Sequence, residues 1–302
     1  MKVVITGANS AVGQAILRCG PKQGATPNTF VAAVRSDRAA EQIRSQLSNG
    51  NAVVRISYDD DASLDAAFLG ASAVIHLAGI LVESPDSTYE QANVASTRSV
   101  ADAAKRNAVQ KLVLVSATGA DETSSNRYYR TKGQAEALVR ASGLRYTVLR
   151  VPLLLGRGTA GAAALKRNVS RERAKLIGGG RNLQQPLYVD DLAQAAVVAA
   201  TQPSVASALT LDLVGPVSLP ERELVERAAR LLGREVRIGS IPKNLLSLVL
   251  AIRQRIASPG FSRDVLEVIT ADTRLDPQPA SCKLGIQLTG IDEMIRSSLG
   301  LG

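Results

Sequence analysis

Tyr128 and Lys132 are four residues apart, so on a helix they share one face, a single turn from each other. A tyrosine phenol titrates near pH ~10. An ammonium group beside it, together with sugar hydroxyls, favours the phenolate. A tyrosine tuned in this way passes a proton to or from an alcohol while a hydride moves. Ser116, twelve positions earlier, offers a hydroxyl to hold the substrate oxygen, with Thr118 as the nearest substitute. A Tyr-x-x-x-Lys pair arises often by chance, and the surrounding chain is what gives this one weight.

Near the N-terminus, Thr6-Gly7-Ala8-Asn9-Ser10-Ala11-Val12-Gly13 follows a short apolar run. Glycines where a strand turns into a helix let the backbone approach a pyrophosphate, and the helix amides and dipole complete the anion site. Gly7, Asn9, Ser10, Ala11, Val12 and Gly13 are the expected contacts. Ser10 stands where a middle glycine is usual; it fits there if its φ stays negative, and its hydroxyl can donate to phosphate. Arg35 ends the second apolar run. An acid there accepts the ribose hydroxyls of NAD, whereas arginine suits the 2′-phosphate of NADP, so NADP(H) is favoured over NAD(H). The other reading is a solvated arginine ahead of the helix that starts near Asp37. Asp59 and Asp60 follow the third run, where a carboxylate can meet an adenine amino group; Asp60 or Asp61 can equally cap the next helix.

The fourth run gives His76-Leu77-Ala78-Gly79. His76 is the only histidine, which argues against a Ser-His-Asp hydrolase or a histidine metal centre, and its apolar setting points to a structural role. Leu77, Ala78 and Gly79 let the backbone lie against a cofactor, and Val151 closes the same edge after the sixth run. No metal site is expected.

These residues need a scaffold, and the pattern supplies one. Val3–Thr6, Phe30–Arg35, Val53–Ile56, Ala73–Leu77, Leu112–Ser116 and Tyr146–Arg150 are short apolar runs with little polar alternation, as strands covered on both faces are. Helical patterns separate them at Ala11–Arg18, Ala39–Leu47, Leu64–Leu69, Val94–Arg106 and Gln134–Ala141. Repeated βα units imply an α/β fold with a doubly wound parallel sheet of Rossmann type, its ligands beyond the carboxyl ends of the strands. The rhythm breaks in the C-terminal third. Residues 1–156 and 188–214 are therefore assigned to the dinucleotide-binding domain, and 157–187 and 215–302 to a small C-terminal α/β cap. In the cap, a strand is expected at Val236–Ile241 and helices at Ala162–Arg173, Glu221–Leu232 and Asn244–Ile256. Gly156–Lys175, glycine-rich and then basic, is expected to act as a mobile lid or as a solvated surface helix.

The whole chain resembles the extended and atypical short-chain dehydrogenases/reductases. It is most similar to the branch containing the nucleotide-binding accessory subunit of respiratory complex I and its bacterial relatives. The matching residues are Thr6-Gly7 with Gly13, His76–Gly79, Asn93–Thr97, Val115–Ala117, Tyr128 with Lys132 and Tyr188–Ala193, then Gly215–Leu219, Leu231–Arg234 and Ile241-Pro242. The resemblance implies that Lys132 also contacts the cofactor and that Asn93 supports the proton relay; a polar helix start is the other reading of Asn93. Asp190 and Asp191 are expected to cap a helix beginning at Leu192. Three features depart from the family pattern: Ser10, the short interval from Ser116 to Tyr128, and a long Gly20–Thr29 link near the adenosine half.

Composition narrows the classes further. The chain has 302 residues, 45% of them hydrophobic, and a net charge of +9. Aromatics are only 3% with no tryptophan, so no stacking platform for nucleic acid is expected. The charge suits anionic cofactors or substrates or a peripheral membrane face, or serves solubility alone. No run approaches the ~20 apolar residues of a transmembrane helix. Two distant cysteines and no export signal point to the cytoplasm. The leading reading is an NADP(H)-dependent oxidoreductase acting on a small carbonyl, alcohol or quinone-like compound. The alternatives are a non-catalytic NADP(H)-binding redox sensor or assembly factor for a membrane complex and, more weakly, a nucleotide-sugar epimerase. The oligomeric state is left open.

Overall fold

A computed structural model describes residues 1–19, 28–45, 47, 50–77, 79–254 and 260–301. Its first half alternates β1 (Lys2–Thr6), α1 (Ala11–Arg18), β2 (Thr29–Val34), α2 (Asp37–Arg44), β3 (Ala52–Arg55), α3 (Asp61–Phe68) and β4 (Ala73–His76). A π-helical turn at Glu90–Ala95 then runs into α4 (Ser96–Arg106), followed by β5 (Lys111–Ala117), α5 (Arg127–Ala141) and β6 (Arg145–Val151). The helix starts are written locally. Ser10, Ser36, Asp60 and Asn126 cap α1, α2, α3 and α5 by accepting from backbone amides of the first turn. Asp60 is thus the cap of α3, and Asp61 lies inside it.

Seven parallel strands form one sheet in the order β11-β6-β5-β4-β1-β2-β3, with β11 at Leu209–Asp212. The order reverses direction between β1 and β4, which opens a crevice at the carboxyl edge of these strands. Side chains alternate across the sheet: Val3 and Ile5 enter the core beneath α1, α2 and α7 (Val189–Thr201), and Val4 enters the one beneath α3, α4 and α5.

The remaining elements are β7 (Leu154–Leu155), α6 (Ala160–Val169), β8 (Arg173–Ile177), β9 (Leu183–Gln184), β10 (Leu187–Tyr188), β12 (Leu219–Pro220), α8 (Glu221–Leu231), β13 (Arg237–Ile241), α9 (Lys243–Gln254), α10 (Arg263–Ile269), α11 (Gln278–Leu284) and α12 (Ile291–Leu299). Leu165, Val169, Ala174, Leu176, Leu224, Ala228, Met294 and Ile295 close a third core there. The tail divides: Ala280, Leu284 and Ile286 of the α11 region pack into the core under α1 and α7.

Two expectations are corrected. The helix foreseen over Ala162–Arg173 ends at Val169, and Arg173 opens β8, because Arg173-Ala174-Lys175-Leu176 alternates exposed and buried with the period of a strand. Within Gly156–Lys175, α6 and β8 contribute to the third core, and β8 pairs with β13. Helix α7 begins at Val189, so Asp190 and Asp191 lie in its first turn and do not cap it. Asp190 meets Arg18 at 3.4 Å, while Asp191 accepts both the amide and the hydroxyl of Thr289 and ties the tail to α7.

Candidate active site

The loop after β1 is built for close approach. Gly7 adopts φ +73°, which a side chain would strain, and a Cβ on Gly13 would collide with the Ala8 backbone. Ser10 holds φ −69°, and its hydroxyl oxygen accepts from the Gly13 amide at 3.1 Å, so its proton remains available to a phosphate. The first-turn amides of Ala11 and Val12 lack an intrahelical carbonyl partner, as at any helix start, and Asn9 is exposed beside them. Gly158 lies over this start: a Cβ there would come 3.7 Å from that of Ala11. The segment after β7 therefore reaches the start of α1. These features fit a dinucleotide pyrophosphate.

Arg35 is exposed at the end of β2 and forms no ion pair among the described residues. Tyr58 lies close by. Burial raises its phenol, opposed by a hydrogen bond with Thr6 and by the charge of Arg35. Asp59 is exposed, and Asp60 is occupied in capping α3. Ala78 lies outside the described residues, as does most of the Gly20–Thr29 link. Leu77 is half-buried beyond β4 with its amide on the Thr6 carbonyl, and Val151 accepts from the Thr118 amide.

Three of the expected residues converge past β4. A Cβ on Gly79 would lie 2.9 Å from Asn93 Oδ1 and 3.3 Å from Lys132 Nζ. Asn93 is buried within the π-helical turn, accepts from the Ile80 amide at 3.3 Å and donates to Thr131 Oγ1 at 3.1 Å. Lys132 donates to the Val115 carbonyl at 3.0 Å, and burial brings its ammonium down to about 8. Tyr128, one turn earlier on α5, packs edge-on to Tyr89 at 5.8 Å. Burial, then the neighbouring Tyr129 and Tyr89, raise the Tyr128 phenol above its ordinary value.

Ser116 is buried near the end of β5. Its hydroxyl donates to Glu136 Oε1 at 2.6 Å, and Glu136, fully buried, also accepts Arg150 at 2.7 and 2.9 Å and Arg140 at 3.2 Å. Glu136 follows Lys132 by one turn, a spacing visible in the sequence, but its partners come from β5 and β6. Thr118 Oγ1, by contrast, is buried with no hydrogen-bond partner among the described residues. His76 is structural. The Thr97 hydroxyl donates to the Asn93 carbonyl, which leaves its oxygen to accept from His76 Nε2–H at 3.2 Å. Nδ1 then accepts from Thr6 at 2.6 Å. Burial, and after it the charge of Lys132, lower this imidazole to about 3, so it stays neutral.

Two supports were not read from the sequence. Tyr89 donates to the Leu81 carbonyl at 2.7 Å, and Glu83 binds Arg127 at 2.9 Å, pinning the loop after β4 to the start of α5. From the other side α10 holds the same helix start. Asn126 Nδ2 donates to Glu267 Oε2 at 2.9 Å, and the Arg127 amide donates to Asp264 Oδ1 at 3.1 Å.

A family model described as NAD(P)H-binding matches residues 7–203. The chain belongs to that family. It is an extended short-chain dehydrogenase/reductase-like member, and its nucleotide domain is one for a pyridine nucleotide. Over 234 residues it is 28% identical to the mitochondrial NADH dehydrogenase [ubiquinone] 1 alpha subcomplex subunit 9 of Arabidopsis thaliana, covering 73% of this chain and 58% of that one. This NAD(P)H-binding chain thus spans little more than half of that relative. It is 25% identical over 240 residues to the ceramide reductase of Caulobacter vibrioides, covering 80% of this chain and 73% of that one. The UDP-glucuronic acid 4-epimerase of Bacillus cereus, solved with UDP-glucuronic acid and NAD, shares the fold. Its TM-score is 0.78 at 16% identity, over 99% of this chain and 98% of that one. Among the described residues, no helix is long and apolar enough to cross a membrane.

Proposed function

We propose that this protein is an NADP(H)-dependent oxidoreductase that reduces a carbonyl or quinone-like group, with Tyr128 as the proton donor. The observation that carries this reading is the grouping of Lys132 and Asn93 around Gly79 at the carboxyl edge of β4, one helical turn from Tyr128. A bound nicotinamide supplies the hydride. Tyr128 gives its proton to the oxygen that becomes the alcohol, and Lys132 stabilises the phenolate left behind and holds the ribose. Asn93 fixes the loop at Ile80 and supports the return of a proton to Tyr128. The buried, unpartnered Thr118 hydroxyl takes the task of holding the substrate oxygen, because the proton of Ser116 is engaged by Glu136. The likeness to a ceramide reductase supports a carbonyl carried on an apolar molecule.

A second reading, a non-catalytic NADP(H)-binding protein associated with a membrane complex, is supported by the complex I relative and by the engagement of Ser116. One experiment separates the two. NADPH oxidation is followed with long-chain ketones and quinones for the wild type and Tyr128→Phe, with NADPH affinity measured on both. The enzyme reading expects turnover that falls at least ~100-fold in Tyr128→Phe with nucleotide affinity retained. Tight NADPH binding without turnover on any carbonyl leaves the second reading, and turnover unchanged in Tyr128→Phe removes that residue from the mechanism.

A further inference from the structure

The cap carries an apolar face that no core covers. Among the described residues ten large hydrophobic side chains are exposed, and four of them, Leu245, Leu248, Val249 and Phe261, lie in α9 and the approach to α10. Leu245, Leu248 and Val249 stand at i, i+3 and i+4, so they form one stripe on α9, exposed at 57%, 59% and 52%. Leu250, turned away from that stripe, is buried at 4%. The helix is anchored by one side and offers leucine and valine to solvent on the other.

What covers this stripe is indicated by charge. Only Pro242 separates α9 from β13, and β13 pairs with β8. Arg171, Arg173, Lys175, Arg237 and Lys243 are all exposed there, and among the described residues none forms an ion pair. Arg173 lies opposite Arg237 in the parallel ladder, which gathers two like charges on this face. A second copy of a chain with net charge +9 would bring more positive charge to this face, whereas an anionic surface neutralises it. At 12 residues α9 is too short to span a bilayer, which needs ~20, but it suits a helix lying in the interface.

We propose that α9 and the β8–β13 ribbon dock this protein on an anionic lipid bilayer, the Leu245–Leu248–Val249 stripe entering the headgroup boundary and the basic side chains meeting lipid phosphates. This goes beyond the proposed oxidoreductase activity and stands without it. The placement also has a consequence for the site. Helix α10 packs against α9 and holds the start of α5, two residues from Tyr128. Docking therefore sets the active helix beside the membrane surface.

Flotation of the full chain with phosphatidylcholine vesicles containing about a third phosphatidylglycerol tests the proposal, with pure phosphatidylcholine vesicles as the neutral arm. The expected result is binding to the anionic vesicles that weakens with salt. Leu248→Glu should lower it at least ~10-fold, since a charge replaces buried apolar area. Lys175→Ala should lower it about fivefold, with no apolar contact touched. Circular dichroism melts check that both variants fold, and NADPH affinity reports separately on the proposed cofactor site. Three results overturn it: a wild type that does not float with anionic vesicles, binding unchanged in both variants, or a wild-type dimer split by Leu248→Glu in a protein that ignores vesicles.

Discussion

Arg35 directly follows β2 and Arg55 ends β3, yet their ion pairing differs. Arg55 is answered by Asp37 at 3.0 Å, while Arg35 has no carboxylate partner among the described residues. An exposed guanidinium at the end of β2, beside Tyr58, is what a 2′-phosphate would pair with. Arg35→Ala is therefore expected to weaken NADPH by roughly ten- to a hundredfold, about 1.5–3 kcal/mol, and to leave NADH nearly unchanged. Calorimetry with both nucleotides measures this; equal wild-type affinities would take the phosphate role away from Arg35. At this scale the sequence showed which residue types could act, but not how they are paired. The Tyr128–Lys132 spacing was legible, since it needs only one helical turn. The surroundings of Tyr128 were not, because Tyr89 comes to pack against it from a distant part of the chain. Nor was the engagement of Ser116, which depends on Glu136 and Arg150 meeting across α5 and β6.

Among the elements, α5 matters most to the site, and its start illustrates what local sequence does and does not reveal. The amphipathic signal is clear from Gln134 onward, whereas the helix begins at Arg127. The first turns carry two tyrosines and two arginines, which give no apolar stripe; their helicity comes from a cap and from tertiary contacts. Asn126 Oδ1 accepts from the amides of Tyr128 and Tyr129 at 3.0 and 3.3 Å, and its Nδ2 reaches Glu267 and the Asp264 carbonyl. One side chain thus caps α5 and joins it to α10. Asn126→Ala is expected to cost about 1–2 kcal/mol by denaturant unfolding, the upper end of a capping loss because two long-range hydrogen bonds go with it. Turnover should fall more than NADPH affinity does, since the residue it displaces is Tyr128 and the phosphate loop lies elsewhere. A variant as stable and as active as the wild type would show that α5 is held without this cap. By contrast, β1, α1 and the parallel sheet were readable from the sequence because buried strands and serine caps are local signals.

For the molecule as a whole, the open question is whether the cap moves over the crevice or is fixed to it. Glycines at 156, 158 and 161 and six basic residues before position 176 give the look of a hinged, charged flap. The packing argues the reverse. Gly156 donates its amide to Ser298 at 2.8 Å, Thr159 caps α6, and a Cβ on Gly161 would strike the Leu154 carbonyl, so these glycines serve close contact as much as freedom. Leu165, Val169, Ala174 and Leu176 are all at most 4% exposed against α8 and α12. Opening this segment would expose that core, and local opening free energy rises with the apolar contact that must be broken. Amide hydrogen exchange on the protein without ligand should therefore show Ala160–Val169 and Arg173–Ile177 protected to a degree comparable with β5. Leu165→Ala, which removes a buried side chain at a cost of about 2–4 kcal/mol, should speed exchange in both elements together while leaving β1 and β5 slow. If the segment instead exchanges rapidly in the wild type and becomes protected only when nucleotide and substrate are both bound, the cap is a lid after all and its core forms on closure.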